Sequence, residues 1–113
     1  MQTQQFFIAE CRFGNISNIV PIRAQTYIAS LPIAHITKDV LIVHRDVAFN
    51  GNALTGAWVV THAETGFSVG HGKTRKQALE NTTARLLSLP ASDSYDRAIN
   101  NARRMLAEYK AAH

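Results

Sequence analysis

Three cations, Lys73, Arg75 and Lys76, fall in the stretch Gly70-His71-Gly72-Lys73-Thr74-Arg75-Lys76-Gln77-Ala78, where the residue pattern starts a helix. A helix N-terminus carries the positive end of the macrodipole, so each unpaired cation there costs about 0.3 to 1 kcal/mol at low salt. The arrangement becomes favourable when an anion fills the gap, because exposed backbone amides and cationic side chains then bind it together. Phosphate is the anion that best suits this chemistry. Further along, Arg97 and Arg104 stand one heptad apart, as do Arg103 and Lys110, which places each pair near one helical face. The candidate nucleic-acid-binding residues are therefore Lys73, Thr74, Arg75, Lys76, Arg97 and Arg104.

Other chemistries find less support. Gly72-Lys73-Thr74 matches the end of a phosphate-binding loop, but Phe67 stands where that loop requires its first glycine. The elements before it also read as a hairpin, whereas such enzymes need a parallel sheet. His44-Arg45-Asp46 copies three letters of a kinase catalytic loop, without room in the chain for the remaining machinery. The five histidines are His35, His44, His62, His71 and His113. A three-residue loop after Ala63 would pair Ala63 with Phe67 and Val59 with His71, which puts His62 and His71 on opposite faces of a sheet. One metal ion could not easily bind both. No Ser-His-Asp, Cys-His or paired-carboxylate arrangement stands out, so no enzyme, cofactor or metal is expected. Trp58 could stack on a base, but is expected in the core.

Those candidates sit in a chain of 113 residues with formal net charge +4 and 46% hydrophobic residues. That length suits a single domain, residues 1–113, able to bury its own core. The start of the chain lacks a signal-peptide pattern and no window is apolar enough to cross a membrane, so a cytoplasmic protein is the expectation. Cys11 is the sole cysteine and is expected to pack as a small hydrophobe. Cations and anions balance over residues 1–72, so the whole positive excess lies in residues 73–113.

The elements that must position these groups change period along the chain. Over the strand-rich part, about residues 4–71, Phe7, Ala9, Cys11 and Phe13 share one parity, opposite Glu10 and Arg12, the mark of a half-buried strand. Gly14-Asn15 reads as a turn. Val20, Ile22, Ala24 and Ile28 continue on one parity, and Pro21 places that strand at an edge or a bulge. Leu41, Val43, Arg45, Val47 and Phe49 form a third strand, ended by the hairpin signal Asn50-Gly51. Trp58 to Ala63 and Phe67 to His71 flank Glu64-Thr65-Gly66, with Gly66 in the left-handed position.

Helical spacing then takes over in Ala78, Leu79, Thr82, Leu86 and Leu89. Thr74 and Gln77 form a capping box at its start and Pro90 marks its stop, a helix over about 75–89. Ser92 or Ser94 opens a second helix over about 94–111, with Tyr95, Ile99, Ala102, Leu106 and Tyr109 as its apolar stripe. The final Ala111-Ala112-His113 is expected to fray. The predicted fold is α+β: an antiparallel meander of about five strands followed by two C-terminal helices.

Two families share features of the cationic segment. Gly70, Gly72, Thr74, Arg75, Lys76 and Ala78 resemble the last strand and helix of double-stranded-RNA-binding domains, which implies that Arg75 and Lys76 contact RNA phosphates. The same segment, through Ala78-Leu79-Glu80-Asn81, also resembles the strand-helix signature of HicB-type antitoxins, whose sheet-plus-helix domain silences a toxin by binding it.

The leading expectation is thus a small non-enzymatic basic module that meets a nucleic-acid backbone, RNA or DNA. The alternative is a protein-binding inhibitor or antitoxin-like module of the phage type, acting by protein-protein contact. Its strand edges would permit strand addition or a homodimer.

Overall fold

The computed structural model describes residues 2–12, 15–33, 39–47, 54–91 and 93–113. Five antiparallel strands pair in chain order: β1 (Gln2–Arg12), β2 (Asn15–Ile28), β3 (Leu41–Val47), β4 (Leu54–His62) and β5 (Ser68–Gly72). The helices α1 (Arg75–Leu87) and α2 (Ser94–Ala112) follow, which makes an α+β fold. Phe13, Gly14, His35, Phe49, Asn50-Gly51 and Ser92 lie outside the described residues.

The sheet is strongly curled. β2 pairs with β1 from Asn15 to Thr26, and then with β3 only through Tyr27–Val43 and Ile28–Ile42. Around Pro21 the strand has a partner on one side alone among the described residues, and there its missing N–H costs no ladder bond. The curl brings β1 over to the β4–β5 turn, where the Ala9 N–H donates to the Gly66 carbonyl at 3.0 Å. Gly66 has φ +75°, and a Cβ on it would meet the Phe7 ring at 2.8 Å.

Strand alternation then sorts the side chains into two cores. The concave face gathers Phe6, Ile22 and Ile42, with Ile8, Val20 and Ala24 against them. The convex face carries Leu41, Val43 and Val60 beneath Ala78 and Leu86 of α1 and Tyr95 and Ile99 of α2. In β1 the buried parity is therefore that of Phe6 and Ile8, opposite to the expectation from Phe7 and Ala9. Both parities of β1 are apolar because Phe7 serves the contact with Gly66. Cys11 is exposed rather than packed.

A bulge at Val69 moves the turn register by one residue: Val59 faces His71 as expected, but His62 N bonds Phe67 O, so Ala63 does not pair with Phe67.

Glycine sets how closely α1 lies on the sheet. Gly70 and Gly72 of β5 lie beneath Thr82 and Ala78, which are fully buried. The capping box forms: Thr74 Oγ1 accepts from Gln77 N–H at 3.0 Å, and Gln77 Oε1 accepts from Lys73 N–H at 2.7 Å. Thr74→Ala leaves one of these amides without its acceptor and is expected to lower the unfolding free energy by about 1 kcal/mol in urea melts. At the far end Ser88 N–H returns to Ala84 and Arg85 carbonyls. On α2 the expected stripe is buried at Tyr95, Ile99, Ala102 and Leu106, and the helix runs on through Ala112. No helix among the described residues is long and apolar enough to cross a membrane.

Candidate nucleic-acid interface

The first turn of α1 contains no acidic residue, so nothing there compensates its cations locally. The three differ in what they touch. The Arg75 guanidinium lies over the Tyr27 ring at 4.0 Å from its centroid, a cation–π contact. Lys76 Nζ sits 3.9 Å from Glu80 one turn on, with both side chains largely in solvent. Such exposed pairs contribute little, so Lys76 can swing to another anion. Lys73 is exposed and has no acidic partner among the described residues.

Arg97 and Arg104 stand elsewhere. Arg97 pairs with Asp93 at 3.3 Å, while Arg104 pairs with Glu108 at 3.1 Å and also bonds Asn101. On the same helix, Tyr95 and Arg103 both reach Asp39, which precedes β3 beside the β4–β5 turn. The Trp58–Gly72 pair, and with it the start of α1, lies at the other end of those strands. Lys73, Thr74, Arg75 and Lys76 thus form one surface, and Arg97 and Arg104 belong to another.

A residue that the sequence reading set aside joins the first surface. Arg45 of β3 faces Trp58 across the β3–β4 pair, with its guanidinium 4.8 Å from the ring centroid. Trp58 in turn lies 6.1 Å from Tyr27, ring to ring. The order Arg45, Trp58, Tyr27, Arg75 makes a continuous cation–aromatic strip along the end of the convex face. Both rings are half-buried against the convex core and both arginines are exposed.

His62 and His44 are held internally. His62 is 1% exposed. Its Nδ1 accepts from the Thr65 hydroxyl at 2.9 Å and the Thr65 N–H at 3.3 Å, so the ring proton is on Nε2. That Nε2 has no hydrogen-bond partner among the described residues and lies 3.6 Å from Asp39 Oδ2. Burial pushes the His62 pKa down, and the Asp39 and Glu64 carboxylates only partly offset it. Asp39 also accepts from Tyr95 O–H at 2.8 Å, and Arg103 grips Glu64 through bonds of 2.8 to 3.0 Å. Arg103 holds the Glu64 carboxyl below its ordinary range. Together these side chains fasten α2 to the sheet.

On the concave side a cleft of about 310 Å³ is lined by Ile8, His44, Val59, Thr61, Ser68 and His71. His44 there spends both ring nitrogens, one on the Arg45 carbonyl at 2.8 Å and one on Thr61 Oγ1 at 2.7 Å. Among the described residues no group of three His, Cys, Asp or Glu side chains could hold a metal ion.

The fold and this surface define the class as an α+β domain with a basic, aromatic-backed helix start. No family model matches the chain, and neither curated proteins nor solved structures provide a match.

Proposed function

We propose that this protein is a small, non-enzymatic module whose α1 start binds the phosphate backbone of a nucleic acid, RNA or DNA. The supporting observation is the unequal pairing of the cations in the C-terminal third. Lys73 and Arg75 lack acidic partners among the described residues, and Lys76 has one only at 3.9 Å, whereas Arg97, Arg103 and Arg104 hold carboxylates at 3.3, 2.8 and 3.1 Å. Cations already neutralised release fewer counterions on binding, so Arg97 and Arg104 act from the margin. Thr74, whose hydroxyl caps the helix, positions its neighbours rather than adding charge.

A salt titration tests this reading. Each phosphate contact contributes roughly 0.7 to 0.9 to the slope of log affinity against log salt. The Lys73, Arg75 and Lys76 triple alanine variant should therefore lose about 2 to 3 of that slope. An unchanged slope would sink the proposal.

A second reading draws support from the groove of Leu31, Pro32, Leu79 and Leu87 between α1 and the β2–β3 connection, where Leu87 is 65% exposed. An inhibitor or antitoxin-like protein would use such an apolar groove to dock on its target. Stoichiometric capture of one protein that survives nuclease treatment would favour it over the backbone reading.

A further inference from the structure

We infer that the nucleic acid taken by this surface is single-stranded, with unpaired bases stacking on the Arg45–Trp58–Tyr27–Arg75 strip while phosphates meet Lys73 and the two arginines. The inference rests on the nucleic-acid reading above and adds the substrate class.

The strip is built by register rather than by one helix terminus. Trp58 is opposite Arg45 on one side and Gly72 on the other. Gly72 has no side chain, so no side chain of β5 stands beside Trp58 at that pairing, and α1 begins only at Arg75. Tyr27 arrives from the last residues of β2 and closes the row beneath Arg75. Two aromatic planes held half-buried against the core thus lie between two guanidinium planes, and each is a flat π surface of the kind on which bases stack.

A duplex presents phosphates and groove edges and keeps its base faces in the stack, so it offers nothing to stack on these planes. Charge complementarity points the same way. Arg45, Lys73 and Arg75 have no acidic partner among the described residues, and the two arginines lie over the two rings rather than in a separate basic patch. An unpaired strand is the polyanion that offers phosphates and base faces together.

Trp58 is the only tryptophan, so its fluorescence reports the contact without any label on the protein. The experiment titrates the full chain with a twelve-nucleotide single strand, RNA and DNA in turn, with the corresponding duplexes and with inorganic polyphosphate. Anisotropy of labelled oligonucleotides is followed alongside Trp58 emission.

The expected result is single-strand affinity at least about tenfold above duplex affinity, with quenching of Trp58 by the single strand and not by polyphosphate. Trp58→Leu should weaken single-strand binding on the order of ten- to a hundredfold, and Arg45→Ala, at an exposed position, should weaken it several-fold without loss of helix signal. Duplex binding as tight as single-strand binding, or saturation by single strand with Trp58 emission unchanged, overturns the inference and leaves the backbone reading standing. Equal quenching by polyphosphate also overturns it. Binding to none of the nucleic acids overturns both.

Discussion

Replacing Gly72 by alanine is expected to lower the unfolding free energy by about 2 to 3 kcal/mol and to loosen α1 on the sheet. The new Cβ would stand 2.5 Å from Ala78 N, 2.8 Å from Gln77 C and 2.9 Å from Ala78 Cα. All three are backbone atoms of α1, so no rotamer change can relieve the overlap and the helix must move as a body. Ala78, fully buried, then loses its contact with the sheet. The requirement is space, since Gly66 is the glycine with positive φ among the described residues. Gly70→Ala should behave alike, because its Cβ would lie 2.8 Å from Thr82 Cβ as well as against the hydroxyl. Urea unfolding followed by helix signal measures both; a loss under about 0.5 kcal/mol for Gly72→Ala would show that α1 tolerates a wider separation.

Acidification should destabilise the protein through His62. Its folded-state pKa is depressed by burial, and protonation at Nδ1 would set a new N–H against the Thr65 N–H and hydroxyl that now donate to it. The unfolded chain binds that proton near the ordinary histidine value of about 6.5. Stability is therefore lost as the pH falls below about 6.5, and the loss stops once the pH has passed the depressed folded-state value. One proton sets the limiting slope at about 1.4 kcal/mol per pH unit. Glu64, whose carboxyl Arg103 holds low, adds a separate loss only below its ordinary value of 4.5. In His62→Gln the slope between pH 6.5 and 5.5 should shrink, whatever the absolute stability of the variant. An undiminished slope would assign the effect to other groups.

These two sites differ in how far the sequence reveals them. The start of α1 is written locally: Thr74 and Gln77 cap it, and Ala78, Thr82 and Leu86 repeat at helical spacing, so element and face both follow from short-range physics. The β4–β5 turn is legible for the same reason, since Gly66 alone tolerates its backbone angles there. β1 is not, because Phe6, Phe7, Ile8 and Ala9 are apolar on both parities and only the curl of the sheet decides which side faces the core.

The cation–aromatic strip is hidden more deeply. Arg45, Trp58, Tyr27 and Arg75 come from four elements, and their adjacency depends on strand register and on the bend in β2, neither of which leaves a periodic trace. The cluster of Asp39, His62, Tyr95 and Arg103 is likewise invisible in any window, although an arginine one heptad from a lysine on the edge of an apolar stripe gave a faint cue to Arg103.

The strand order also bears on how the chain reaches this structure. From β2 to β5 each strand pairs with its immediate predecessor, so each pairing can form on a segment already made, the longest connection to close being residues 29–40. The union of β1 with the β4–β5 turn is the exception, because Ala9 must wait for Gly66, most of the sheet later in the chain. Local pairings of this kind favour quick folding, whereas the seam carries the larger loop-closure entropy. The concave cleft, whose lining includes Ser68 and His71 of β5, is complete only when that last strand has paired.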